Sequence, residues 1–408
     1  MRRRDFLGAI LAPVFLAGCD FDLGDGLFNE CRDPRSGNFA ASPLVARAWQ
    51  GLRSDQVWDV HVHLFGNGRG NRGVWIDPGF DHGWGPANRA RRAFFMNAAC
   101  AGSDEERLDG SMVRRLADLA DQLPSGAKAM LLAFDFTYDE RGQRRPDLTT
   151  FSISNDYAQS VAQARPDRFE WNASVHPYRE DAVAALEAAK AGGARAVKWL
   201  PPTMNIDLAN PRCKPVYEAL ARLDLPILVH VGEEKAVPGA ERGDLANPLL
   251  LRHPLDAGVR VIAAHCASLG VGADLDAGEA KGRDVPNIDL FARLMADRNY
   301  EGRLVGDISA ITQANRHGVV RRILLQRDWD GRLLNGSDYP LPGVKPLFSL
   351  DGLVKQGVLD KACVPILAGL RETNALLFDF VLKRCLAVDG RRFPDVTFET
   401  RGFFERKA

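Results

Sequence analysis

Short apolar and β-branched runs alternate with helical stretches along almost the whole of this 408-residue chain. That alternation constrains the fold more than any other feature, because parallel strands need long crossover connections and helices supply them. Eight runs qualify as strands: 57–63, 129–134, 169–175, 194–200, 226–231, 259–264, 303–308 and 332–337. Residues 181–191 are alanine-rich and stop at Gly192-Gly193, a good helix C-terminus. Asn287 is placed to cap a helix through residue 298, and Asn315 one through residue 326. Eight strand and helix units predict an α/β chain folded as a (β/α)8 TIM barrel, whose chemistry sits at the C-terminal ends of the strands.

The first run carries His61-Val62-His63. Period-two alternation sends both imidazoles to one face, with Val60 and Val62 packing on the other and Asp59 sharing the histidine face. Two neutral imidazoles held side by side are half of a divalent-metal site. The same end of the barrel collects further polar groups. His176 follows the third run, Lys198 lies near the end of the fourth, His230 ends the fifth, His265 the sixth and Asp338 the eighth. Five of the eight histidines therefore fall at strand ends.

HxH on the first strand, single histidines ending the fifth and sixth, and an aspartate ending the eighth resemble the amidohydrolase superfamily of metal-dependent hydrolases. Gly193-Ala194-Arg195-Ala196-Val197-Lys198, Gly336-Ser337-Asp338-Tyr339-Pro340 and Thr373-Asn374-Ala375-Leu376-Leu377-Phe378 are similar to its amidohydrolase-2 branch. That branch contains hydrolases as well as aminocarboxymuconate-semialdehyde decarboxylase and related decarboxylases. The resemblance covers residues 55–385 and implies that His61, His63, His230 and Asp338 hold a metal. Asp338 and His265 then form the catalytic pair: Asp338 moves a proton, and His265 bonds water or substrate oxygen or holds a second metal. Lys198 has three readings: a carbamate bridging two metals, a contact for a substrate carboxylate, or a structural ion pair. His176 lines the pocket or bonds the backbone, and Asp59 supports the lower barrel or a ligand.

One zinc is the expected cofactor, with manganese or iron as alternatives and a second metal if Lys198 is carboxylated. The expected activity is hydrolysis of a small-molecule amide, ester or lactone bond by metal-activated water. The alternative is a metal-dependent decarboxylase, a lyase, of the same branch. A catalytically silent lipoprotein that binds a ligand in the barrel mouth is the reading from another class. The long insertion between Leu64 and Lys128, with a helix over 111–122, emerges on the catalytic face as a lid. Trp75, Trp84, Arg89, Arg91 and Arg92 in it contact substrate, or else serve packing and the surface. His82, His253 and His317 receive no catalytic role.

Residues 1–19 read as an export signal, with a basic start, a short apolar stretch and Leu16-Ala17-Gly18-Cys19, which resembles a lipobox with Cys19 as the lipidated residue. Arg3-Arg4 resembles the twin-arginine signal, a basic Sec-type start being the alternative. Residues 20–45 read as a tether, or as a segment packed on the barrel bottom, 46–390 as the barrel domain and 391–408 as a tail. The expected protein is exported from a bacterial cytoplasm and lipid-anchored at a membrane, on its periplasmic or outer face, with homodimerisation open. Lys plus Arg equals Asp plus Glu at 53 each, which argues against nucleic acid as a partner. Six cysteines besides Cys19 show no metal-knuckle spacing and read as buried thiols, although an oxidising compartment permits a bridge.

Overall fold

The computed structural model describes residues 26–405 except 71, 82–85, 103, 238–241 and 279–281, so the export signal, Cys19, His82 and Trp84 lie outside the described residues. All eight expected strands are present, most of them shortened: β1 Trp58–His63, β2 Lys128–Leu132, β3 Phe169–Asn172, β4 Val197–Trp199, β5 Ile227–His230, β6 Val261–Ala264, β7 Leu304–Asp307 and β8 Leu333–Leu334. They pair in parallel as two sheets, β1-β2-β3 and β4-β5-β6-β7-β8. Backbone bonds join the sheets at both edges. Ala173 N donates to Ala196 O at 2.8 Å beside β3 and β4, and His63 N donates to Tyr339 O at 2.9 Å where the chain leaving β8 meets β1. Gly336 permits that second approach, since a Cβ there would lie 2.8 Å from the His61 Cβ.

Strand β1 departs from simple alternation. Asp59 pairs with Ala129 and Val62 with Leu131, so β1 spends one residue more than β2 over the same span, a β-bulge. The bulge corrects the face assignment made from period two. Val60 joins Trp58, Met130, Leu132, Leu228, Ile262 and Leu334 in the barrel interior, while Val62 packs in the outer core. Asp59 is displaced from the histidine face and sits among Trp49, Leu376 and Asp379 behind the strand. Its carboxylate accepts the backbone N–H groups of His61 and Ser337 at 3.1 and 2.8 Å, and burial pushes its pKa up to about 6. Asp59 thus ties the first strand to the eighth.

Both chain ends of the body are docked. From the expected tether, Phe28 stacks on Phe94 at 5.5 Å, and Asn29 donates to the Arg371 carbonyl at 2.7 Å. Cys31 and Cys100 form a disulfide, a pairing the cysteine spacing did not suggest, which fastens this segment to the insertion after β1. Cys213, Cys266 and Cys385 are buried free thiols. Residues 391–405 close the barrel bottom instead of trailing as a tail: Thr400 Oγ1 donates to Trp58 O at 2.6 Å and the Phe404 ring faces the Trp58 ring at 6.3 Å.

Two helix starts also shift. Asn287 is the first residue of helix Asn287–Ala296, behind Pro286, and uses its amide on Leu269 O. Asn315 lies in a 3-10 turn, Ala314–Arg316, and the following helix begins at Val319 after Gly318, whose φ of 78° breaks the helical path. In the insertion the helix runs Leu108–Ala120, and Val74–Ile76 pairs antiparallel with Phe151–Ile153 from the loop after β2. That ribbon places the insertion over the C-terminal ends of the strands.

Candidate active site

The ends of β1, β4, β5, β6 and β8 contribute side chains to one largely buried cluster. His61 and His63 rise from β1, Lys198 from β4, His230 from β5, His265 from the turn after β6 and Asp338 from the turn after β8. His265 and Asp338 hold left-handed backbone angles, φ 56° and 61°, which turn their side chains inward over the strand ends. The Asp338 carboxylate is the meeting point. Its Oδ1 lies 3.2 Å from His63 Nε2 and 3.5 Å from His61 Nε2, and its Oδ2 lies 3.9 Å from His265 Nε2. His230 stands edge-on to His265, ring centroids 5.3 Å apart.

Burial sets the protonation states. Desolvation pushes the His61 imidazole down to about 4, aided by the nearby Lys198 ammonium, and also lowers His230 and, more strongly, His265. These rings are neutral near pH 7 and can offer lone pairs. For Asp338, burial pushes the carboxyl up, but the histidines around it outweigh burial and hold it well below the usual carboxylate range. Lys198 is driven down by burial. Its Nζ lies 3.2 Å from His61 Nε2, with Asp307, Asp338 and Glu234 attracting it from farther off.

The residues fit a divalent cation. One ligand atom each from His61, His265 and Asp338 lies within 4.8 Å of the others, and all three residues are buried. His63 reaches the same carboxylate from the cavity side. The buried His230 Nε2 has no hydrogen-bond partner among the described residues, while its Nδ1 sits 3.4 Å from Glu234 Oε2. An orphaned imidazole nitrogen is costly to bury and signals an absent partner. The tightest triad thus includes His265, expected from the sequence to bond water or substrate oxygen or to hold a second metal.

Two supporting groups were missed from sequence. Asp307, at the end of β7, accepts from His61 Nδ1 at 2.9 Å and from the His265 backbone N–H at 2.8 Å. Ser309 Oγ lies 2.7 Å from His265 Nδ1 and donates to Asp307. Such partners fix the tautomer so that Nε2 would be free for a bound ion. Asp307 closes the run Leu304-Val305-Gly306-Asp307, so the strand-end rule that selects His230 selects it too. Glu234, on the loop after β5, carries no comparable signal.

Walls of Phe65, Phe80, Phe95, Phe151 and Leu200 enclose a cavity of about 70 Å³ above the cluster, which adjoins a wider cleft of about 1010 Å³ sharing His230, His265 and Asp338. Phe80 and Phe95 come from the insertion, which therefore does cover the site. Trp75 does not: it packs on Phe136 at 5.1 Å. His176 is also elsewhere, fully buried, with Nε2 at 2.9 Å from Met204 O and Nδ1 accepting from Tyr178 N.

No curated protein matches the chain. Among solved structures it is similar to a TIM-barrel protein from Bordetella bronchiseptica (15% identity, 73% of this chain and 94% of that one, TM-score 0.44). A probable 2-pyrone-4,6-dicarboxylic acid hydrolase from Acinetobacter baumannii has 13% identity over 80% and 96%, with a TM-score of 0.43. A manganese-bound 5-carboxyvanillate decarboxylase from Novosphingobium aromaticivorans has 12% identity over 79% and 96%, with a TM-score of 0.41. The sequence profile described as Amidohydrolase matches residues 58–356, which spans β1 through the turn carrying Asp338. With the whole cluster inside that match, the chain belongs to the amidohydrolase family.

Proposed function

We propose that this enzyme is a metal-dependent hydrolase of a small-molecule amide, ester or lactone bond. The observation that carries the reading is the convergence of His61, His265 and the ionised Asp338 within 4.8 Å, beside the orphaned His230 Nε2. A divalent cation, if bound there, would polarise a substrate oxygen and make water available as a nucleophile near neutral pH. Asp338, held ionised and buried, takes the proton from the attacking water and passes it to the leaving group. Asp307 keeps His61 and His265 oriented, and the phenylalanine walls exclude bulk water.

The test pairs metal analysis of the purified chain with turnover of amide, ester and lactone panels, beside carbon dioxide release from aromatic and unsaturated carboxylates. Stoichiometric metal with hydrolysis lost on chelation and restored by zinc or manganese is the expected result. Carbon dioxide release without hydrolysis replaces the reading by a lyase, and absence of both metal and turnover removes it. We also propose export and lipidation at Cys19; the Cys31–Cys100 disulfide supports an oxidising compartment. Membrane fractionation of C19A against the parent chain tests that anchor.

A further inference from the structure

Arg316 ends the 3-10 turn Ala314–Arg316 that follows β7, and its side chain is 93% buried, with 7% relative exposure. It borders the wide cleft together with His230, His265, Glu234 and Asp338. Its Nη1 donates to Ser268 Oγ at 2.7 Å, and its buried Nε has no hydrogen-bond partner among the described residues. Asp338, Glu234 and Asp307 attract it only from beyond ion-pair distance. The other cations bordering this cleft are matched: Lys235 lies 3.4 Å from Glu233, and Arg242 pairs with Asp244 at 2.8 Å.

A guanidinium taken out of water without a carboxylate is expensive, and its planar fork is shaped for two oxygens of one anion. Ser268 satisfies Nη1 and holds the group still beside the cleft that Arg316 borders. We infer that Arg316 is a substrate-recognition residue that binds a carboxylate group carried by the substrate away from the bond being broken. This rests on the reading of the cluster as a metal-dependent active site, because one anionic end of the substrate is placed at Arg316 while the reacting group is placed at His61, His265 and Asp338. The competing account is a structural arginine balanced at a distance by the three carboxylates. It predicts no contribution to ligand charge selectivity.

The probes are linear dicarboxylates of three to six carbons and their monoamides, titrated calorimetrically into the metal-loaded full chain. At least one dicarboxylate is expected to bind tenfold or more tightly than its monoamide. In R316M that preference falls below twofold with metal content unchanged, and R316K restores part of it. S268A, which frees the guanidinium without removing its charge, weakens the preference less than R316M does. A metal-loaded parent chain with no preference, or R316M retaining it, overturns the assignment of Arg316 and leaves the enzyme reading standing. A parent chain that holds no metal overturns both.

Discussion

His61 Nδ1 lies 2.9 Å from an Asp307 carboxylate that is itself completely buried and that also receives the His265 backbone N–H. One carboxylate therefore orients two members of the triad. For D307N the expected outcome is a metal affinity lower by about 10- to 100-fold, the usual cost of removing a carboxylate partner behind a histidine ligand. Competition with a chelator of known affinity measures it, and far-ultraviolet circular dichroism verifies that the barrel persists. An unchanged affinity would show that Asp307 serves folding alone.

Beneath Asp338, Lys383 Nζ donates to Gly336 O and to Asp379 Oδ2, both at 2.5 Å, with Lys383 and Asp379 essentially inaccessible. Burial pushes Asp379 up to about 7 even beside its partner. K383M leaves this carboxyl unpaired and frees the Gly336-Ser337-Asp338 turn. Denaturant unfolding should reveal a loss of about 3–5 kcal/mol, and the double variant D379L/K383M should recover most of it, since an apolar pair can replace a buried ion pair.

The Cys31–Cys100 bridge joins residues 69 apart and holds the segment before the barrel to the insertion over the site. C31S/C100S is expected to cost about 2–4 kcal/mol. Limited proteolysis should then cut between residues 26 and 41, where the parent chain resists. Equal protease resistance in both proteins would mean that Asn29 and Phe28 suffice to hold the segment.

At the barrel bottom Glu170 receives Lys128 Nζ at 2.7 Å and Arg195 Nε at 2.8 Å. Burial pushes its carboxyl up, but the two cations outweigh burial and lower it below the ordinary 4.5. A carboxyl with a depressed folded pKa adds stability above its unfolded pKa and loses it as pH falls through the folded one. E170Q should therefore be less stable than the parent by about 2 kcal/mol at pH 7. The two unfolding free energies should converge as pH drops below 4.5; a constant gap would locate the effect in packing.

Sequence alone determined the eight strands and the ring of His61, His63, Lys198, His230, His265 and Asp338 at their ends, because apolar periodicity and strand termini are local properties of the chain. Period two failed at β1, where the extra residue of a bulge is visible only against the register of β2. Asn287 and Asn315 failed as caps because Pro286 and the left-handed Gly318 decided where the helices start. Tertiary structure alone brought Asp307 behind His61, paired Cys31 with Cys100, folded the C-terminal segment under Trp58 and left Arg316 buried with an unpartnered nitrogen. Those are contacts between residues tens to hundreds of positions apart, and their energies come from shared burial and mutual desolvation, which no window of sequence records.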